Sequence, residues 1–250
     1  MPGGDHRSIP GARARPRRRG AGRGGRRTAR RSGAGGLRRG RRAESGFRTG
    51  RLFPAFPGSR HRGPAGWYGP RMDTLVRHTA ELTGGELAEV RALLDGAFGG
   101  RFAEEDFEHA LGGVHVLVRS AGGELVAHGS VVQRRAVHRG RALRTGYVEA
   151  VAVRADRRRQ GLGGRVMDGL ERVIGGAYLL GALSASADGA GLYAGRGWQV
   201  WAGELGTLGP GGPVRLAEEE GTTYVWAPPG AALPDPAGRL DFDWRNGDVL

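Results

Sequence analysis

Residues 148–166 read VEAVAVRADRRRQGLGGRV. Apolar residues alternate up to Val153, so a strand enters the stretch. A helix leaves it, because GLGGRVMDGLERVIGG, residues 161–176, puts Val166, Leu170, Val173 and Ile174 on one helical face. The arginine–glycine knot between them admits three phosphate-binding readings. A dinucleotide-type G-x-G-x-x-G fails because position 166 is valine, and a lysine-bearing phosphate loop fails because the chain has no lysine. What remains is Arg158-x-x-Gly161-x-Gly163, set between a strand and a helix. Backbone N–H groups at a helix start lack intrahelical partners and carry the positive end of the helix dipole. Glycines let a diphosphate approach that backbone, and Arg158 or Arg159 can add charge-assisted hydrogen bonds. The plainer reading is a surface turn that is arginine-rich because the whole chain is.

Working outward, the periods are legible from Met72 onward. TLVRHTA (74–80) reads as an edge strand, and GGELAEVRALLDGAF (84–98) places Leu87, Val90, Leu94 and Phe98 at helical spacing. AEEDFEHALG (103–112) is a shorter helix with acids in its first turn and Gly112 past its end. VHVLVRS and LVAHGSVVQRR flank an AGGE turn as a hairpin, and ALRTGYVEAVAVRAD (142–156) is a longer third strand. Beyond the knot, AYLLGALS (177–184) is a buried strand, ADGAGLYAGRG (187–197) a short helix, and WQVW and TTYVWA begin further strands. No internal repeat is visible. The order β-α-α-β-β-β-α-β-α-β, with one parallel crossover through the helix after the knot, predicts a mixed α/β domain. Roughly 180 residues suffice for one core.

Charge divides the chain at the same place. Residues 1–71 hold 20 of the 39 basic residues and two acids, Asp5 and Glu44, a net +18; residues 72–250 carry 19 arginines against 23 acids, a net −4. The first segment, with few apolar residues and a heavy like-charge load, cannot offset the entropy of ordering and is expected to be disordered. Three readings of it stay open: a nucleic-acid-binding arm, an organelle transit peptide, or an extension upstream of a true start at Met72. The domains expected are therefore 1–71, a disordered Arg/Gly-rich extension, and 72–250, a folded catalytic or binding domain.

Composition also removes chemistry. All 39 basic residues are arginine, which excludes a Schiff-base lysine, and the absence of cysteine excludes disulfides, thiol nucleophiles and cysteine zinc sites. The seven histidines (6, 61, 78, 109, 115, 128, 138) form no H-x-x-x-H pair, so no metal is expected, and His109 reads as a packing or surface residue. Ser184 and Ser186 do not sit in a G-x-S-x-G elbow. No apolar run approaches the roughly 20 residues of a membrane span, and no secretory signal core opens the chain. It reads as soluble and cytoplasmic, with no membrane partner.

Arg158-x-x-Gly161-x-Gly163 after a V-x-V strand resembles the acetyl-coenzyme A loop of the GNAT N-acetyltransferases. Residues 72–250 resemble one family within them, the aminoglycoside 2'-N-acetyltransferases. The resemblance rests on GAFGGRFAEEDFEHALGGVHVLV, GYVEAVAVRADRR, GAYLLGALSASA, LYAGRGW and DWRNGDV. It implies a GNAT-type mixed, mostly antiparallel sheet flanked by helices, acetyl-CoA as co-substrate, an aminoglycoside or other polyamine as acceptor, and a homodimer. It implies that Arg158, Arg159, Gln160, Gly161, Leu162 and Gly163 cradle the coenzyme A diphosphate, and that Val151, Ala152 and Val153 take the pantetheine arm like an added strand. Tyr193 is implied as the acid for the departing thiolate. Asp106, Glu149, Ala150, Ser184, Glu219 and Asp248 are implied as substrate contacts.

Direct acyl transfer needs a neutral amine, so a protonated polyamine must lose a proton. Glu149, beside the strand that would take the thioester, is the candidate base, acting through water. A mildly acidic domain also suits a cationic substrate. Three positions depart from the family pattern: Arg101 stands where an acid is usual, Leu250 where a terminal aromatic is usual, and Ala150 where a glycine is usual. They leave acetyl transfer intact but open the substrate to another small amine. A nucleic-acid-binding protein acting through the arginine-rich tail is the alternative from a different class.

Overall fold

The computed structural model describes residues 72–250. The segment 1–71, with the disorder and the nucleic-acid, transit-peptide and start-site readings attached to it, lies outside the described residues. Ten strands and four α-helices make up the described chain: β1 (Asp73–His78), α1 (Gly84–Ala97), α2 (Glu104–His109), β2 (Val114–Arg119), β3 (Leu125–His138), β4 (Arg141–Val153), α3 (Leu162–Ala177), β5 (Leu180–Ser184), α4 (Ala190–Ala194), β6 (Gln199–Val200), β7 (Leu205–Gly209), β8 (Gly212–Arg215), β9 (Thr223–Trp226) and β10 (Leu240–Asp243). No helix among the described residues is long and apolar enough to cross a membrane.

One mixed sheet, mostly antiparallel, joins all ten strands. Its path runs β6-β9-β5-β4-β3-β10-β7-β8, with β1 and β2 completing the edge of β3. β3 is long enough to use two partners on one side: β2 along its first half and β10 at its end. The crossover expected through the helix after the knot is present, since β4 and β5 are parallel and α3 connects them. β7, β8 and β10 had no counterpart in the sequence reading. LGTLG, GPVR and LDFD are short and rich in Gly, Pro and Asp, residues depleted in strands, so ladder bonds to distant partners create them rather than local preference.

The sheet is covered on both faces. Val116, Val118, Val131 and Val148 lie against Val166, Met167, Leu170 and Ile174 of α3. Each such buried side chain contributes about 1.5–3 kcal/mol. α3 comes close enough that a Cβ at Gly169 would lie 2.7 Å from Val116, and one at Gly129 of β3 would lie 2.7 Å from Val166. On the other face Val90, Leu93 and Leu94 of α1 pack with Leu117, Leu125 and Ala152, and Phe98, Phe102 and Phe107 extend that layer. Thr83 starts α1 with a reciprocal cap: its Oγ1 accepts from Glu86 N at 3.2 Å while Glu86 Oε2 accepts from Thr83 N at 2.9 Å. A third cluster, with Tyr147, Trp201, Leu205, Leu240 and Phe242, fills the C-terminal part.

Candidate active site

Strand β4 carries the feature on which the site is built. It pairs with β3 along its whole length, but with β5 only through Thr145–Leu180, Gly146–Gly181 and Tyr147–Ala182. Beyond Tyr147 the two parallel strands part, while the other edge of β5 stays paired with β9 from Gly181–Trp226 to Ser184–Thr223. The β5-facing backbone edge of β4 from Val148 to Val153 is left without a strand partner among the described residues.

The same stretch contains a β-bulge. His128 faces Ala152 and Ser130 faces Glu149, so Ala150 and Val151 together oppose Gly129. Ala150 takes φ +52°, a left-handed conformation that disfavours residues with a Cβ. The extra residue changes which faces the side chains take. Val148, Val151 and Val153 all belong to the α3 side, while Ala150 and Ala152 belong to the α1 side. A regular strand would put Val148 and Val151 on opposite faces.

Glu149, Ala150, Asp106 and Asp248 line one cleft of about 330 Å³, together with Phe98, Arg101, Phe102, His109, Arg245 and Leu250. Four of the expected substrate residues are therefore brought together. The Glu149 side chain is 15% exposed, and Oε1 accepts from the Arg245 guanidinium. Burial raises the carboxyl above the ordinary range, and the charge and hydrogen bond of Arg245 oppose that shift. Asp106 caps α2, its Oδ2 accepting from Ala103 N at 3.0 Å. Arg101 is exposed and reaches the cleft, and Leu250 is buried in its wall.

Residues 243–249 form that wall through contacts the sequence did not reveal. Arg134 of β3, only 4% exposed, holds Asp243 Oδ1 at 3.0 Å and the carbonyl of Val249, with its guanidinium 5.0 Å from the Tyr147 ring centroid. His109, read as a packing or surface residue, donates from Nε2 to the carbonyl of Asn246 at 2.7 Å and faces the cleft. Arg245 reaches Glu149 across 96 residues of chain, a separation that leaves no local pattern.

The remaining expected residues sit elsewhere. Ser184 donates to Glu219 Oε2 at 2.8 Å at the end of β5, on the other bank of the parted strands; neither residue lines the cleft. Tyr193 lies on α4 among the residues packed under α3, its ring near Trp198 and Tyr224, and burial pushes its phenol up to about 12. Its hydroxyl has no hydrogen-bond partner among the described residues. Arg196 secures the end of α4 to α3 through Glu171 at 2.8 Å, and Trp198 Nε1 donates to the same carboxylate at 2.9 Å.

The arginine–glycine knot is the start of α3. Arg159 (φ +62°) and Gly161 (φ +77°) are both left-handed, and Gly161 is the N-cap with no side-chain cap on the first turn. A Cβ on Gly161 would meet nothing within 4 Å, so the space over that turn is open. Leu162 is buried, and Gly163 faces Leu192 and Val153, which links the loop to β4. Arg158, Arg159 and Gln160 are exposed around it.

The acetyltransferase (GNAT) domain family model matches residues 78–201. An aminoglycoside 2'-N-acetyltransferase from Mycolicibacterium fortuitum is 46% identical over 175 residues, covering 69% of this chain and 89% of the relative. Among solved structures, a GNAT-family N-acetyltransferase from Escherichia coli in complex with CoA is 18% identical with a TM-score of 0.47, covering 73% of this chain and 93% of that one. A GNAT-family acetyltransferase from Brucella melitensis in complex with acetyl-CoA is 16% identical with a TM-score of 0.46, covering 70% and 97%. The chain belongs to the aminoglycoside 2'-N-acetyltransferase family of the GNAT acetyltransferases, and is an acyltransferase.

Proposed function

We propose that this enzyme transfers the acetyl group of acetyl-CoA to the 2'-amino group of aminoglycosides, in a domain spanning residues 72–250. The observation that carries the reading is the parting of β4 from β5 beside a cleft that holds Glu149, Asp106 and Asp248. The 46% identity to a protein named for this activity supports the choice of substrate.

The residues present fit acetyl-CoA. The open edge of β4 at Val151, Ala152 and Val153 can hydrogen-bond an extended amide chain as a strand would. The uncapped first turn of α3 at Leu162 and Gly163, with open space at Gly161 and with Arg158, Arg159 and Gln160 around it, suits a diphosphate. The chemistry supplied when acetyl-CoA is bound is an acetyl thioester, whose C–S bond breaks as a C–N bond to the substrate amine forms.

The chain's own groups handle protons and orientation. Asp106 and Asp248 attract the polycation, and Glu149 takes the proton the ammonium must lose, its second oxygen Oε2 being free of protein partners among the described residues. Ser184 and Glu219, on the β5 bank, bind a more distant part of the substrate. Tyr193 keeps its proton at neutral pH. A protonated phenol can donate to the charge developing on sulfur. Tyr193 is therefore the proposed acid for the departing thiolate.

The test is thiol release by the full chain with acetyl-CoA and a thiol-trapping dye, which the cysteine-free protein cannot itself consume. Tobramycin, with a 2'-amine, should support release, and kanamycin A, with a 2'-hydroxyl, should not. Release with both would refute the 2' assignment. Release with neither, while acetyl-CoA still protects the chain from heat, would favour another amine as substrate.

A further inference from the structure

Behind the bulge runs a chain of hydrogen bonds that neither the cleft nor the cofactor groove uses. Ala150 O lies 3.0 Å from His128 Nδ1, His128 Nε2 lies 2.9 Å from His115 Nδ1, and His115 Nε2 lies 2.8 Å from Thr79 Oγ1. Gly112 N donates to Thr79 Oγ1 at 2.9 Å. Both imidazoles are fully buried. A carbonyl can only accept, so His128 must carry its hydrogen on Nδ1 and, being neutral, accept at Nε2. His115 then donates from Nδ1 and accepts at Nε2 from the Thr79 hydroxyl. Thr79 Oγ1 also lies 3.1 Å from Gly113 O, but that carbonyl already accepts from Thr79 N at 2.9 Å, so the one hydroxyl hydrogen can go to His115 Nε2 and a single direction of donation runs along the chain.

That direction ends on the carbonyl of a strained residue. Ala150 is left-handed although it has a Cβ, and such conformations persist only where the surroundings hold them. The bulge it forms lets Glu149 face the cleft while Val151 and Val153 still pack under α3.

We propose that His128, backed by His115 and Thr79, is a positioning residue that pins Ala150 in its left-handed conformation and so sets the presentation of Glu149 to the acceptor amine. The kinetic part of this inference rests on the reading of Glu149 as the base; the conformational part does not.

Four variants of the full chain test it. His128→Leu removes the donor, and loss of a pin against left-handed strain should lower kcat about 5- to 30-fold with the acetyl-CoA KM unchanged. His128→Asn keeps a donor close to the Nδ1 position and should retain most of kcat. Ala150→Gly, which needs no pin, should recover much of the Tm lost in His128→Leu when the two are combined. A double variant no better than His128→Leu, or an Asn variant as poor as Leu, would overturn the proposal. Long-range nitrogen–proton NMR on the unaltered chain supplies a readout independent of substrate: both rings should be neutral with the hydrogen on Nδ1. An Nε2–H ring at either position would overturn it, even if tobramycin proves not to be the acceptor. If tobramycin supports no thiol release but both rings carry Nδ1–H, and Ala150→Gly shrinks the loss of Tm caused by His128→Leu, the pin stands and the substrate reading fails.

Discussion

The buried histidine pair should make the fold acid-labile well above the carboxylate range. Burial, with a smaller contribution from His78, holds His115 at about 4, and burial with the neighbouring His115 holds His128 at about 3. An unfolded histidine titrates near 6.5. Between those values the unfolded chain binds protons that the native pair refuses, so stability falls as pH drops below about 6.5. At pH 5.5 each unfolded ring carries about 0.9 proton, which gives a slope of about 2.5 kcal/mol per pH unit for the two. From pH 7 to pH 5 the loss approaches about 4 kcal/mol, a large fraction of the roughly 5–15 kcal/mol that holds a domain together. His109, also lowered by burial, adds in the same direction. Glu149, raised by burial, takes up a proton in the native state and works the other way. The carboxylates held low by arginines or capping N–H groups, such as Asp156 and Glu86, respond only below about pH 5. Urea unfolding of the Glu149→Gln variant at half-unit steps from pH 7 to 5 therefore isolates the histidines. A slope below about 1 kcal/mol per pH unit between pH 6 and 5 would mean that the pair accepts protons in the folded state, and the neutral chain of hydrogen bonds would be wrong.

Further outcomes follow for the reaction itself. Glu149→Gln should lower kcat by roughly 10²-fold or more with the acetyl-CoA KM unchanged, and should abolish the acid limb of the pH–rate profile. In the unaltered enzyme that limb should fall as pH drops through a Glu149 pKa above the usual carboxylate value, because the base must be deprotonated to act. Tyr193→Phe should cost about 10²-fold in kcat, read by steady-state thiol release, with little change in Tm because the hydroxyl has no partner among the described residues to lose. Arg101→Glu should lower the KM for tobramycin roughly three- to tenfold at low ionic strength, an effect that shrinks in salt, since the replacement removes a cation from the cleft and adds an acid.

The elements around residues 148–166 were legible because two periods meet there, and both survive in β4 and α3. The bulge also left a trace: in VEAVAV the large apolar residues fall at 148, 151 and 153, a spacing that a regular alternation cannot place on one face. Of the candidate site, the acids Asp106, Glu149 and Asp248 converge on one cleft, while Tyr193, Ser184 and Glu219 stand across the gap between β4 and β5. What could not be read depends on partners far apart in the chain. Arg134 meets Asp243 over 109 residues and His109 meets Asn246 over 137, and no local spacing encodes either. His115 and His128 looked unremarkable as sequence, because only the register of β2 against β3 brings their rings together. The strands β7, β8 and β10 were hidden for a related reason, since tertiary pairing overrides their weak local preference.

The proposed reaction is regioselective acetyl transfer at the parted strands beside Glu149. Its most direct test is the structure of the product formed by the full chain from tobramycin and acetyl-CoA, solved by two-dimensional NMR. A single acetyl group on the 2'-nitrogen is expected. An acetyl group on any other nitrogen, or a mixture of sites, would contradict it.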